Sequence, residues 1–308
     1  MLSIALNFSN SMNDSLCNDL VSYIAENARV DWESDIPSCP IPVYTRGMAA
    51  NSYFFGHPKW GKEYFNNSHR SQAFQERWQA AMGSWDDKIV VDIGCGPGNV
   101  YATLGGSPKL LIGVDISRGA LEMAQEVGYK PILADAHYLP FVNGFADIVV
   151  LNATVHHCDD MGRILSEAAR IVRPGGILFT DQDPQASAWN FKGLGLFLRD
   201  IRFPLYWLMQ YKHYIPDDER ISRSKTEIHN LRPGDGITCE LYYQILEPLG
   251  FEVKLYPHNH DLGAEVLDGK ISKSSWRMRL SQKLSGMNPD TLEAAQSIMC
   301  IAKRKTEY

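Results

Sequence analysis

The sequence predicts an α/β protein: a doubly wound sheet carrying a helical aromatic cap. Three observations predict it. From Lys88 onward short apolar runs alternate with helical patterns, the mark of a parallel sheet with helices on its faces. A glycine-rich loop follows directly on the first of those runs. Aspartates or polar residues stand at the ends of the next three, where open α/β sheets bind their ligands.

Residues 1–85 are rich in Asn, Ser and aromatics, and Trp60 to Met82 reads as a helix through Trp60, Tyr64, Phe65, Phe74 and Trp78. Ile89-Val90-Val91 is the first buried strand, Leu110 to Val114 the second and Pro131 to Ala134 the third. Ile148 to Leu151 is the fourth and Ile177 to Thr180 the fifth. Between the last two, Met161, Ile164, Leu165, Ala168, Ile171 and Val172 keep a helical period; Asp160 suits the N-cap, and Pro174-Gly175-Gly176 stops the helix. The alternation then breaks at an insertion, 184–236. It resumes with a helix at Glu240 to Leu249 and strands at Phe251 to Tyr256 and Ile298 to Ala302, separated by a second insertion at about 258–296.

Composition excludes some partners. The chain has 308 residues, 44% of them hydrophobic, and a net charge of −6. Domains that hold phosphate backbones usually carry a basic excess, so no nucleic acid is expected. The six cysteines are scattered with no zinc spacing; reduced thiols are expected, and no metal. Met1 to Asn13 lacks a basic residue followed by a long apolar run, so no secretory signal is expected. The stretch from Trp189 to Met209 is interrupted by Lys192, Arg199, Asp200, Arg202 and Pro204. A bilayer-spanning helix needs about 20 mostly apolar residues. A cytoplasmic protein is expected.

The chemistry centres on Asp92-Ile93-Gly94-Cys95-Gly96-Pro97-Gly98-Asn99. A lone glycine-rich loop fits a dinucleotide, a nucleotide phosphate or nothing. The G-x-G-x-G spacing differs from the G-x-G-x-x-G of dinucleotide folds, and Asn99 stands where a phosphate-binding P-loop needs lysine. Asp92 would repel a pyrophosphate but suits a cationic amino group. Asp115, seventeen residues after Gly98, ends the second strand, where a carboxylate can accept from both ribose hydroxyls. Asp135 can accept from an adenine amino group while the Ala136 amide serves a ring nitrogen. Any one of these aspartates alone is equally well read as a helix cap.

Val90 to Asp181 resembles the S-adenosylmethionine-binding core of class I methyltransferases, in the small-molecule branch that includes quinone-biosynthesis enzymes. The resemblance is carried by Val91 to Gly98, Gly113-Val114-Asp115-Ile116-Ser117, Ala134-Asp135-Ala136, and Val155-His156-His157 with Leu165 to Gly176. It implies a seven-stranded Rossmann-like sheet whose last strand is antiparallel, with S-adenosylmethionine as cofactor. It also implies cofactor contacts at Asp92, Gly94, Gly96, Gly98, Asp115, Ile116, Asp135, Ala136 and Asn152. Residues 86–183 then form the cofactor-binding core, 1–85 an N-terminal helical region and cap, 184–236 an aromatic lid or cap, and 237–308 the rest of the sheet.

Methyl transfer asks little of a protein beyond aligning a nucleophile with the sulfonium, excluding water and removing a proton. His156, His157 and Asp181 are the candidate catalytic residues. The histidines are equally read as loop-orienting, and Asp181 with Asp183 either recognises a cationic amine or makes a turn before Pro184. The insertion carries Trp189, Phe191, Phe197, Phe203, Tyr206, Trp207, Tyr211 and Tyr214. It reads as a lid, a helical layer, a dimer contact, or a membrane-surface dock with Arg199, Arg202 and Lys212 at the head groups. Tyr53 and Tyr64 read either as shaping the entry to the site or as plain packing. The expected function is methylation of a small molecule at nitrogen or oxygen, in specialised metabolism. The alternatives are a protein or RNA methyltransferase and a non-catalytic S-adenosylmethionine-binding protein.

Overall fold

Ile89, Val90, Val91 and Ile93 give the chain a β-branched run, and it forms β1 (Ile89–Ile93) at the heart of a seven-stranded sheet. The computed structural model describes residues 19–61, 71–208 and 217–306, without the side chains of 201–208, 217 and 220. Met1 to Asn13, Cys17, Tyr64, Phe65, Tyr211, Lys212 and Tyr214 lie outside the described residues, as do the side chains of Arg202, Phe203, Pro204, Tyr206 and Trp207.

The other strands are β2 (Leu110–Asp115), β3 (Lys130–Leu133), β4 (Ala146–Asn152), β5 (Val172–Pro184), β6 (Phe251–His258) and β7 (Ser297–Arg304), in the order β3-β2-β1-β4-β5-β7-β6. The first five run parallel; β7 is antiparallel to both its neighbours. Order reverses between β1 and β4, so the carboxyl ends of these two strands frame the crevice where such sheets place ligands. The central strands are covered on both faces, which is why they read as unbroken apolar runs rather than alternating ones.

Before the sheet come α1 (Arg46–Phe55) and α2 (Gln72–Met82). The expected helical character from Trp60 to Met82 is met at Pro58 to Gly61 and again in α2, which Ser71 caps by accepting from Phe74 N at 3.1 Å; residues 62–70 lie outside the described residues. Trp60, itself helical, stacks on Phe54 and His57. Inside the core lie α3 (Asn99–Leu104), α4 (Arg118–Glu126) and α5 (Met161–Ile171), the last capped by Asp160, which accepts from Arg163 N at 2.9 Å. Pro174-Gly175-Gly176 does not mark that helix's stop; the chain is already in β5, beside a register shift against β4.

The insertion after β5 divides in two. Trp189, Phe191 and α6 (Gly193–Leu208) lie against α9 (Trp276–Leu284) of the second insertion. Ser285 Oγ accepts from Lys192 N, and Trp189 Nε1 donates to Gln296 O. Beyond it, α7 (Asp217–Ser224) packs on α1, and α8 (Cys239–Leu246) leads into β6. The described aromatics of the insertion therefore do not cap the ligand face: Phe191 is buried in this side layer and Phe197 is exposed. Among the described residues, no helix is long and apolar enough to cross a membrane.

Candidate active site

A cleft opens at the carboxyl ends of β1 to β4. Its floor is the loop after β1. Gly94 and Gly96 have φ of 71° and 52°, and a Cβ on Gly94 would stand 2.4 Å from Thr154 Cγ2, so the loops after β1 and β4 meet only without a side chain there. Gly98, expected on the ligand, lies off the cleft; a Cβ on it would meet Val127 at 2.5 Å.

Asp115, Ile116, Asp135, Ala136 and Asn152 all line the cleft. Asp115 also holds the glycine loop: Oδ2 accepts from Gly96 N at 2.9 Å and Oδ1 from Ser117 N at 2.8 Å. Burial raises the Asp115 pKa, and these backbone donors oppose the rise. Asp135 Oδ1 accepts from His137 N at 2.9 Å and from His137 Nδ1 at 2.6 Å; His137 Nε2 in turn accepts from Asp160 N. Asp92 does not line the cleft. It lies fully buried beneath the loop, with Oδ2 accepting from Tyr129 Oη at 2.7 Å. Burial pushes its pKa to about 7, against the pull of the Tyr129 bond and helped by Asp115.

His156 and His157 form a 3-10 turn after β4, with ring centroids 4.0 Å apart. His157 lines the cleft, and its Nδ1 lies 2.7 Å from Thr226 O. A carbonyl only accepts, so Nδ1 carries the proton and Nε2 is bare in the neutral ring. Burial and the neighbouring His156 hold the His157 pKa well below the usual value, so the ring is neutral. His156 stands behind the cleft wall. Its backbone N and its Nδ1 both donate to Asp183 Oδ1, at 3.0 and 2.7 Å.

Asp181 does not face the cleft. It is fully buried, with Oδ2 accepting from Arg77 Nε at 3.0 Å and Trp78 Nε1 at 2.8 Å, and Oδ1 lying 2.8 Å from His258 Nε2. Burial alone would raise its pKa, but Arg77 and His258 outweigh that and hold it well below the carboxylate range. Asp181 joins α2 to β6 and reaches no reacting group. Asp183 is also fully buried and positions His156.

Sequence reasoning missed the ceiling. Met48, Asn51 and Phe55 of α1 line the cleft, and Asp159 joins them at its wall. Asn51 Nδ2 donates to Thr226 O at 3.1 Å, tying α1 to the segment that also holds His157. Thr45 was a readable N-cap for α1, since its side chain accepts from Met48 N; where the helix would land was not readable. Tyr53 points away, exposed and edge-on to Trp60.

Residues 91–180 match the family model for a methyltransferase domain. The chain is 37% identical over 95 residues to a malonyl-[acyl-carrier protein] O-methyltransferase of Yersinia pestis, covering 29% of this chain and 34% of that one. It is 33% identical over 94 residues to a tRNA (carboxymethyluridine(34)-5-O)-methyltransferase of Arabidopsis thaliana, covering 29% and 22%. It is 29% identical over 178 residues to a phthiotriol/phenolphthiotriol dimycocerosates methyltransferase of Mycobacterium ulcerans, covering 52% and 65%. The chain thus spans less than two thirds of each of these relatives, and the first two matches are confined to about the length of the cofactor core.

Proposed function

We propose that this chain, whose core is a class I S-adenosylmethionine-dependent methyltransferase domain, moves a methyl group from that cofactor to an oxygen of a small molecule. The observation that carries the reading is the cleft itself: glycine loop, Asp115 and Asp135 on one side, His157 on the other, under the apolar ceiling of Met48 and Phe55.

The sulfonium is already electrophilic, so the protein's part is to align the acceptor and keep water out. The loop amides and Asp115 hold the cofactor's polar parts, and Asp135 its base. A cofactor held so would turn its methyl group toward the wall built by Thr154, His157 and Asp159. The case for a cationic nitrogen acceptor needed Asp181 and Asp183 in the cleft; both are buried and committed elsewhere. That removes Asp181 and Asp183 as an attraction for an amine and leaves Asp159 as the carboxylate at the cleft wall. The bare Nε2 of His157 suits an acceptor that arrives with a hydroxyl proton. The names of the Yersinia and Arabidopsis relatives, both O-methyltransferases, point the same way.

The net charge of −6 favours a small acceptor over a nucleic acid. The Arabidopsis relative's name makes RNA the alternative to test. A screen with methyl-labelled cofactor against phenols, aliphatic alcohols, carboxylic acids, amines and bulk tRNA is expected to label a hydroxyl or phenol. Label only in tRNA, or only in amines, would overturn the acceptor class.

A further inference from the structure

Both histidines after β4 are held through Nδ1. Asp183 Oδ1 accepts from His156 Nδ1 at 2.7 Å, and the Thr226 carbonyl accepts from His157 Nδ1 at 2.7 Å. Carboxylate-to-histidine and carbonyl-to-histidine contacts of this kind fix the tautomer and leave Nε2 as an electron-pair donor. Glu227 brings a third donor. Its Oε2 is buried with no hydrogen-bond partner and lies 3.6 Å from His156 Nε2. One donor atom from each of the three residues lies within 4.8 Å of the other two.

A buried carboxylate oxygen left without a partner is costly, and two electron-pair donors beside it do not relieve that cost. A proton shared between His156 and Glu227 is a poor answer. The 3.6 Å separation is too long for a hydrogen bond, and it would leave His157 Nε2 outside. We propose that His156, His157 and Glu227 bind one divalent transition-metal cation, with Asp183 and the Thr226 carbonyl as its outer supports.

Two imidazoles and one carboxylate select for Zn²⁺-like ions; Mg²⁺ and Ca²⁺ prefer all-oxygen sites. Bonds of about 2.0–2.2 Å require the donors to draw together. Glu227, with its side chain 24% exposed, is the one with room to move. Sequence spacing gave no sign of the set, because Glu227 lies far along the chain from the histidine pair.

His157 lines the cleft, so the ion borders the acceptor's place. There it would hold the acceptor oxygen and lower its pKa, as a metal does for bound water. The hydroxyl proton passes to solvent, and the new O–C bond forms as the cofactor's S–C bond breaks. This role rests on the methyl-transfer reading; the binding of the ion does not.

The test titrates metal-stripped chain with Zn²⁺ and Co²⁺, by calorimetry and by the visible absorption of cobalt, beside His156→Ala, Glu227→Gln and Asp183→Asn. Wild type is expected to bind one ion per chain. His156→Ala and Glu227→Gln should weaken it by at least about a hundred-fold, and Asp183→Asn by about 10–100-fold. Melting curves and S-adenosylhomocysteine binding report whether each variant is folded. Glu227→Gln, isosteric and partly exposed, decides the matter if His156→Ala does not fold. No uptake by wild type, or undiminished uptake by folded Glu227→Gln, would overturn the proposal and leave His157 as a lone proton acceptor. Failure of wild type to bind S-adenosylhomocysteine with or without metal would instead sink the methyl-transfer reading, whatever the ion count.

Discussion

Asp115 serves two masters, and its removal should be felt twice. Asp115→Ala takes an acceptor from the cofactor's ribose and also orphans the amides of Gly96 and Ser117. Hydrogen bonds to a charged group are worth about 1.5–3 kcal/mol each. Affinity for S-adenosylhomocysteine is expected to fall at least about ten-fold, with a lower melting temperature for the cofactor-free chain; an unchanged dissociation constant in a folded variant would show the ribose held elsewhere. Asp181 is the opposite case. The sequence put it just after the fifth strand, whereas it lies within β5, and its partners, Arg77 and His258, come from segments before and after the core that no local pattern announces. Asp181→Asn leaves Arg77 buried with its partner's charge gone, a loss of about 3–5 kcal/mol by the usual cost of breaking a buried pair. Because its folded-state pKa is depressed, Asp181's stabilisation is complete above the unfolded carboxylate value of about 3.9 and is lost as pH falls through the lower folded value. The wild type should therefore lose stability in acid below about pH 4 more steeply than Asp181→Asn. Parallel acid denaturation curves would show instead that the pair contributes nothing.

Among the elements, those with strong local signals were readable: the β-branched runs, the glycine loop, and the α5 cap at Asp160. What failed was the placing of elements that carry no period linking them to the sheet. The insertion of residues 184–236 was expected to act partly as a lid, with a helical layer as a compatible reading. Its first half is bound to the second insertion: Gln282 of α9 donates from Nε2 to Ala188 O at 3.4 Å, Ser285 Oγ accepts from Lys192 N, and Gln296 O accepts from Trp189 Nε1. Among its described residues, those of the second half meet the cleft's lining from behind, where Thr226 O accepts from both Asn51 and His157. We propose that closure over the ligand belongs to α1 and the segment after α7, joined by that shared carbonyl. Hydrogen exchange should slow at 46–55 and 226–229 when S-adenosylhomocysteine is added, while 193–200 exchanges as before. Slowing confined to 193–200 would return the lid to the aromatic half. Asn51→Ala should loosen the ceiling and weaken the ligand by a few-fold, in line with a net hydrogen-bond value of about 0.5–1.5 kcal/mol.

At the scale of the molecule, the sheet order decides which ligand chemistry the chain can hold. The reversal between β1 and β4 creates one crevice, and the chain fills it with a loop tied down by Asp115 rather than a helix start free to take a pyrophosphate. The amide of Gly96 already donates to a carboxylate, and Asp92 and Asp115 beneath and beside the loop would repel a second negative charge. A dinucleotide must bring two phosphates to that place; S-adenosylhomocysteine brings none, and an ammonium group instead. This discrimination was legible in the glycine spacing, although the sequence put Asp92 on the ligand and the fold puts it underneath. Ligand that binds only the folded chain stabilises it by about 2.7 kcal/mol at a hundred times its dissociation constant, a rise on the order of 5 °C in melting temperature for a chain of this size. S-adenosylhomocysteine is expected to give that rise and NAD none at equal concentration. The same comparison in Gly94→Ala should erase the response, because the added Cβ drives into Thr154 and closes the approach between the two loops. A rise with NAD alone would mean that the loop opens to take phosphates, and with it the reading of the whole crevice would have to be given up.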